Sequence, residues 1–407
     1  MKKIDVLFYL YGMDGGGAER HVLYLLQRLD RSRFSPRLFL KTADGPYLKD
    51  VPPDVPVDRI YRSFAQERVA YSYVKDLRLL AALARHLQKK PPDLVYCRMY
   101  SSATVAGLAI RLSRRNIPLI ASEGIFPSVG IVPDLGRFPF LRLPVVKKVQ
   151  RDVSSVIVCP AAAMARDSSA FYGCPMAKIR IIPNGVDTDL LARRISEPPS
   201  HPWASEEGPL VLGMGRLCPQ KEFDVLLDAF SLVARDHPGA RLLILGKGES
   251  HAILSEKAAS LGIAGRVDFP GWIPNPHAVL SRAAVFVLSS RYEGFPNALL
   301  EAMACGVPAV STDCPSGPRE ILEGGAGFLV PVGDHVSMAR AVGELLADGS
   351  LRAETARRGM ERIRERYTLE TMVSAYERLF DEVASGAEPA AFLAERKIPE
   401  MSSSSSV

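Results

Sequence analysis

Two doubly wound α/β domains are what this sequence predicts, and three observations carry the prediction. Short apolar runs rich in Val, Ile and Leu recur along the chain, separated by longer segments with helical periodicity, which is the pattern of parallel strands covered by helices. The length, 407 residues, suits two or three domains of ~150 residues each. Near the middle, residues 191–208, chiefly ARRISEPPSHPWASEEG, break the alternation with prolines, serines and glutamates that sustain neither a helix nor a ladder, and the plan then restarts.

In chain order, the first half offers strands at Ile4 to Leu10, Leu38 to Leu40, Leu94 to Cys97, Leu119 to Ala121, Val156 to Val158 and Ile179 to Ile182. The second half repeats the plan at Leu210 to Met214, Arg241 to Leu245, Arg266 to Phe269, Val285 to Leu288, Ala309 to Ser311 and Gly327 to Val330. After Gly349 the pattern is helical to about Ser385, with a break between two helices at Arg366 to Thr368. The expected division is a Rossmann-like domain over 1–190, the linker 191–208, a second such domain over 209–368, a helix over 369–386, and a flexible tail over 387–407 that ends in MSSSSSV.

Composition excludes several classes. With 47% hydrophobic and 24% charged residues the chain can bury large cores, and Lys+Arg 51 against Asp+Glu 45 is too even for a general nucleic-acid binder. Six scattered cysteines form no C-x-x-C pair and have no nearby His partner, so neither a zinc site nor a disulfide framework is expected, and reduced thiols of a cytoplasmic protein are. The N-terminal MKKIDVLFYLYGMDGGGAER reads as a buried strand and its following loop rather than a signal peptide, because Asp5 interrupts the apolar run and no small-residue cleavage site follows. No run approaches the ~18 uncharged apolar residues of a membrane span.

Three loops are candidates for chemistry. Gly15, Gly16 and Gly17 follow the first strand and precede a helix, where backbone can approach a ligand and free N–H groups point at an anion; a plain strand-to-helix turn is the alternative, and the full G-x-G-x-x-G dinucleotide spacing is missing. Arg216 and Lys221 occupy the loop after the first strand of the second half, where cations suit a diphosphate, or else merely face water. The most informative stretch runs from Ser289 to Leu322. Its turn at Glu293 and Gly294 leads through Pro296, expected in the first helical turn, to the amides of Asn297, Ala298 and Leu299, which stand free for phosphate oxygens. Glu301 lies inside that helix, where an inward carboxylate can accept from two vicinal hydroxyls, and Glu293 sits ahead of it.

These motifs together resemble the retaining glycosyltransferases of family 4, which have the two-Rossmann-domain GT-B fold with a cleft between the domains. The resemblance rests on the loop Gly15-Gly16-Gly17-Ala18-Glu19-Arg20, the I-P-N-G-V-D run at Ile182 to Asp187, G-R-L-x-x-x-K at Gly215 to Lys221, and the two glutamates Glu293 and Glu301, and it extends to about Val383. It implies that Arg216 and Lys221 neutralise the donor diphosphate, that Glu301 binds the ribose, that Glu293 meets the transferred sugar, that Phe295 lies in the donor-binding site, and that Gly16 and Gly17 close on the phosphates. A UDP-sugar donor, a saccharide or lipid-linked acceptor, no cofactor and no metal are further implications, with 1–190 binding the acceptor, 209–368 the nucleotide sugar, and the last helix returning to the first domain.

Departures from the family pattern mark where it is less informative. Members often carry a His after the fourth strand in a run like S-x-H-G, whereas Ser122, Glu123, Gly124 and Ile125 stand here, so Glu123, Arg98 and Tyr100 become candidates for the acceptor pocket. Glu222 replaces a common Gly and is expected to suit the dipole of the helix it opens. Arg319 either faces the donor or pairs with Glu320 or Glu323. Between Phe126 and Val153, Arg137, Arg142, Lys147, Lys148 and Arg151 alternate with Phe138, Phe140, Leu141, Leu143, Val145 and Val146, a mixture suited to an anionic membrane surface, or to a helix packed on its own domain. A UDP-sugar epimerase, a catalytically silent nucleotide-sugar-binding subunit and, least favoured, a dinucleotide dehydrogenase remain as alternative readings.

Overall fold

A computed structural model describes residues 2–61, 72–136 and 139–386. The expected tail, 387–407, and Arg137 and Phe138 of the basic-apolar segment lie outside the described residues. The chain runs β1 (Ile4–Leu10), α1 (Gly17–Arg28), β2 (Phe34–Thr42), β3 (Val57–Tyr61), α2 (Ser72–Lys89), β4 (Leu94–Arg98), α3 (Tyr100–Ser113), β5 (Leu119–Ser122), α4 (Pro127–Asp134), α5 (Pro139–Asp152), β6 (Val156–Cys159), α6 (Ala162–Tyr172), β7 (Ile179–Ile181) and α7 (Thr188–Ile195). It continues as β8 (Leu210–Met214), α8 (Phe223–Asp236), β9 (Arg241–Leu245), α9 (His251–Ser260), β10 (Val267–Gly271), α10 (Pro276–Leu280), β11 (Val285–Leu288), α11 (Asn297–Ala304), β12 (Ala309–Thr312), α12 (Pro318–Ile321), β13 (Phe328–Val330), α13 (His335–Ala347), α14 (Gly349–Arg366) and α15 (Leu369–Ala384).

Two parallel sheets result, one of seven strands in the order β3-β2-β1-β4-β5-β6-β7 and one of six in the order β10-β9-β8-β11-β12-β13. The predicted α/β class and its two doubly wound units are therefore present. Central strands such as VYC in β4 and VIVC in β6 are buried throughout, because helices cover both faces of a parallel sheet. The helices pack through one stripe: Phe223, Leu226, Leu227, Phe230, Val233 and Ala234 of α8 are all buried, and truncating one such Leu to Ala costs about 2–5 kcal/mol.

The strand expectations fail where a sheet has an edge. β3 was not expected, since its sequence VDRIY carries Asp58 and Arg59, but an edge strand has one flank in water and tolerates them. β2 begins at Phe34 rather than Leu38; Pro36 within it lies before β3 starts to pair at Leu38, so its missing N–H breaks no ladder on that side. The linker is also shorter than expected. Ala192 to Ile195 form the last turn of α7, which starts where the Asp187 carboxylate accepts from Leu190 N at 2.8 Å and which buries Leu191.

α15 packs on the first sheet, burying Leu369, Met372, Val373, Tyr376, Leu379 and Phe380 against Phe8, Phe34 and Tyr96. Its entry is joined to the end of the first unit: Val186 N donates to Tyr367 O at 2.8 Å and Leu369 N to Val186 O at 2.9 Å. Gly185 makes this approach possible, since a Cβ there would lie 2.5 Å from Thr368 O.

Candidate active site

Open parallel sheets bind ligands beyond the carboxyl ends of their strands, where the strand order reverses. Those points are β1/β4 in the first sheet and β8/β11 in the second, and their loops meet in a cleft of about 840 Å³. Gly15, Gly16, Gly17, Arg98, Met99 and Gly124 line its first-sheet wall. Gly215, Arg216, Lys221, Glu293, Gly294, Phe295, Pro296, Asn297, Ala298 and Glu301 line the other.

The two walls touch. A Cβ on Gly17 would stand 3.5 Å from Asn297 Nδ2, an ordinary contact, whereas one on Gly294 would collide with Gly124 O at 2.3 Å, so Gly294 accepts no side chain without movement. Asn184, in the I-P-N-G-V-D run, donates from Nδ2 to Asn297 Oδ1 at 2.9 Å. Away from the cleft, Glu320 Oε1 accepts from Ala162 N (2.8 Å) and Ala163 N (3.3 Å), capping α6 from the opposite unit.

The loop 215–222 and the loop 289–293 are tied together. Ser289 Oγ donates to Lys221 O at 2.6 Å, Gln220 Nε2 to Tyr292 O at 2.8 Å, and Arg291 N to Gln220 O at 2.9 Å. These bonds set the Lys221 ammonium 2.5 Å from Glu293 Oε1, which also accepts from Ser290 Oγ at 2.6 Å. Glu222 differs from the expectation: it is the left-handed residue (φ +44°) just before α8, buried, with its carboxylate held by Arg291 Nε at 2.7 Å. That backbone region explains why glycine is common there.

Pro296 precedes α11 as its cap rather than standing inside its first turn, and Asn297 and Ala298 present the helix start to the cleft. Leu299 does not belong with them. Its N–H closes a tight first turn onto Pro296 O at 3.1 Å and its side chain is fully buried. Phe295 lies at the cleft wall with its ring 5.8 Å from that of Tyr367.

Glu301, one turn into α11, is 8% exposed and doubly engaged: Oε1 accepts from Arg20 Nη2 at 2.6 Å and Oε2 from His277 Nε2 at 3.1 Å. Burial alone pushes its carboxyl up, but the Arg20 guanidinium and His277 outweigh it and bring the value down to about 2. The group is an ionised acceptor at any working pH, and each oxygen keeps a second lone pair for a hydroxyl. Arg20 and His277 were missed in the sequence as site residues; the first was visible only inside the G-G-G-A-E-R loop, and the second, on the short helix α10, carries no local signal. Lys247 and Trp272, also missed, line the cleft from the loops after β9 and β10.

The three acceptor candidates separate. Arg98 lines the cleft, whereas Glu123 is fully buried behind it and Tyr100 is 3% exposed with its OH donating to Asp134 at 2.6 Å. Glu123 Oε1 accepts from Tyr172 OH at 2.8 Å, and burial raises its carboxyl to about 7. Arg319 pairs with neither the donor loop nor Glu320 but with Asp313. Among the described residues no group of three or more His, Cys, Asp or Glu is placed to hold a metal ion.

The basic-apolar segment forms α4 and α5. Its cations are partly engaged: Lys148 and Arg151 share Asp152, Lys147 sits 4.4 Å over the Phe171 ring, and Arg142 donates to Leu135 O at 3.3 Å. Of its apolar residues, Phe140 and Leu141 are 69% and 62% exposed, whereas Val146 is buried. No helix among the described residues is long and apolar enough to cross a membrane.

Comparison with known proteins follows the same division. Residues 15–190 match the family model Glycosyltransferase Family 4, and residues 199–362 match Glycosyl transferases group 1. The lipopolysaccharide core biosynthesis glycosyltransferase LpsE of Rhizobium meliloti is 37% identical over 42% of this chain and 49% of its own length. D-inositol 3-phosphate glycosyltransferase of Geodermatophilus obscurus is 26% identical over 93% of this chain and 88% of its own. The first of these aligns over about half its own length. Among solved structures, Anabaena Alr3699/HepE in complex with UDP and glucose superposes with a TM-score of 0.78 at 21% identity, covering 93% of this chain and 99% of that one.

Proposed function

Since this chain belongs to the GT-B glycosyltransferases of family 4 type, we propose that it moves a hexose or N-acetylhexosamine from a UDP-sugar to a saccharide or lipid-linked acceptor in cell-surface glycan synthesis, with retention of anomeric configuration and without a metal ion. One observation carries the reading: Arg216, the Lys221–Glu293 pair and the Asn297 end of α11 converge in a single cleft, with the Glu301 carboxylate one turn along the same helix. That sequence of groups matches a diphosphate followed by a ribose. The nucleobase then lies beyond the ribose, against Lys247 and Trp272.

Each residue has a role in this mechanism. Arg216, Lys221 and the amides at the start of α11 take the charge that grows on the diphosphate as the bond from the anomeric carbon to the leaving oxygen breaks. Glu301 holds the ribose hydroxyls. Glu293, released from Lys221 as that ammonium turns to phosphate, accepts from the hydroxyls of the sugar. Gly16 and Gly17 allow the first-sheet wall to approach the phosphates without a side chain between. The acceptor hydroxyl attacks from the face the diphosphate leaves, giving its proton to a diphosphate oxygen, so the products are the glycoside and the protonated nucleotide diphosphate.

Calorimetry with UDP, GDP, ADP and NADH, for the parent protein and Glu301→Ala, tests the assignment. UDP is expected to bind selectively and the variant to lose at least tenfold in affinity. Equal binding by both proteins removes Glu301 from the donor site, and no nucleotide binding at all favours a silent subunit. Turnover of a UDP-sugar to a new UDP-sugar without an acceptor favours an epimerase.

A second reading concerns place. The exposed Phe140 and Leu141 beside Lys147 and Lys148 support docking of the first unit on an anionic membrane surface, on the cytoplasmic side where nucleotide sugars are made available to lipid-linked acceptors.

A further inference from the structure

We infer that the first-sheet wall of the cleft holds an anion-binding subsite centred on Arg98, and that the acceptor presents a phosphate or carboxylate to it beside the hydroxyl it offers for transfer. The inference rests on the donor reading above and extends it to the chemical class of the acceptor.

Arg98 ends β4 at the strand-order reversal of the first sheet, and it is 4% exposed. Its guanidinium has only neutral partners: Nη1 donates to Ser122 Oγ at 2.7 Å and Nη2 to Asn184 Oδ1 at 3.3 Å. Nε is buried and has no partner. Among the described residues no carboxylate forms a salt bridge with the guanidinium within 4.0 Å; the charge of Arg98 reaches Glu123 and partly offsets its burial, but that carboxyl is hydrogen-bonded to Tyr172 and stays raised to about 7. His21, also buried, has an unpartnered Nε2 and is kept neutral by burial and by the charge of Arg98, so it supplies no negative charge. A buried cation without a directly paired carboxylate is costly, and a ligand that brings the counter-ion accounts for its place at a cleft.

The surroundings are shaped for access. Gly124 stands against the unpartnered edge: a Cβ there would come within 3.6 Å of Nε and 2.6 Å of Met99 Sδ. Met99, the next residue, holds a left-handed backbone (φ +78°) that a side chain other than glycine adopts at a cost, and such strain clusters at ligand sites. The donor diphosphate is not the source of the anion in this assignment. It already has Arg216, Lys221 and the start of α11 on the opposite wall, whereas Arg98 reaches that wall only through Asn184 and its bond to Asn297.

The test is calorimetric titration of inorganic phosphate into the full chain, with and without saturating UDP, for the parent, Arg98→Met, Arg98→Lys and Gly124→Ala. The parent is expected to bind phosphate with UDP in place, Arg98→Met to lose at least tenfold in phosphate affinity while its UDP affinity stays within twofold, Arg98→Lys to recover part of the loss, and Gly124→Ala to bind several-fold more weakly although Arg98 is intact. Phosphate binding unchanged in Arg98→Met, or absent in the parent, overturns the subsite. Phosphate that displaces UDP assigns Arg98 to the donor diphosphate and overturns the acceptor class. If UDP fails to bind the parent, the donor reading falls, and the titrations without nucleotide still decide the subsite. Should Arg98→Met fail to fold by circular dichroism, Gly124→Ala and Arg98→Lys carry the decision. With the subsite established, phosphorylated or uronic-acid saccharides should compete with phosphate and neutral saccharides should not.

Discussion

The two walls of the cleft treat charge in opposite ways. On the second-sheet wall the carboxylates of the donor segment are met before any ligand arrives: Glu293 by Lys221 and Ser290, Glu301 by Arg20 and His277, and Glu222 by Arg291. On the first-sheet wall Arg98 has a cationic head with neutral hydrogen-bond partners, while Glu123, behind that wall and out of the cleft, is buried with one oxygen unpartnered. Preorganised pairs suit a wall that receives one fixed ligand, as the proposed donor site would. Unpaired groups suit a wall whose ligand supplies the complement.

The sharpest measure of this difference is the pH dependence of stability, because the two buried glutamates shift in opposite directions from an ordinary value of 4.5. Glu301 is held at about 2, so between 2 and 4.5 the unfolded chain binds more protons; its contribution is complete above 4.5 and lost as pH falls through 2. Glu123 stands at about 7, so between 4.5 and 7 the folded chain binds more protons, and stability falls as pH rises through that window. Each shift corresponds to a few kcal/mol at most, on the order of 3. Denaturant melts should therefore show Glu123→Gln gaining relative to the parent at pH 8 and little at pH 4.5, with Glu301→Gln losing at pH 7. A parallel pH profile for parent and Glu123→Gln would break the contrast.

The same contrast explains what the sequence made legible. The second-sheet wall was readable because its groups lie in one segment: Glu293, Asn297 and Glu301 fall within nine residues, at spacings that a turn and a helix convert directly into geometry. Arg216 and Lys221 were readable for the same reason. Arg20 and His277 were not, since they reach Glu301 from positions 281 and 24 residues away and nothing local marks them. Periodicity gave the buried strands, but it passed over β3, an edge strand with a broken apolar pattern, and it placed Leu299 among free amides because the tight closure of the first turn of α11 depends on backbone angles. Glu123, in the run where the family pattern has a His, and Tyr100, near Arg98, looked like pocket residues, yet both side chains are buried, at 0% and 3% exposure.

A smaller effect tests whether the walls are held together independently of the ligand. α6 begins at Ala161 without a side-chain cap of its own, and Glu320 from the other unit accepts from its first amides. Loss of a cap costs about 1 kcal/mol. In Glu320→Ala this should appear as a larger radius of gyration by solution scattering without UDP, together with a several-fold higher KM for the donor, and Glu320→Gln, which keeps an accepting oxygen, should recover part of both. Scattering profiles and KM values identical to those of the parent would leave Glu320 as a local cap only.

The smallest expected effect lies on the outer face of the first unit. Surface cations near an anionic leaflet contribute ~1 kcal/mol each when free to face it. Lys148 is engaged by Asp152 and Lys147 lies over Phe171, so the double reversal Lys147→Glu and Lys148→Glu is expected to lower co-sedimentation with phosphatidylglycerol vesicles only a few-fold, and to do so at low salt but scarcely at high salt. Phe140→Ser with Leu141→Ser should lower it further, since those side chains are 69% and 62% exposed and would enter the headgroup layer. A parent protein that does not sediment with the vesicles, or variants that sediment as it does, would remove the membrane from the account and leave the unpaired first-sheet wall facing a soluble acceptor.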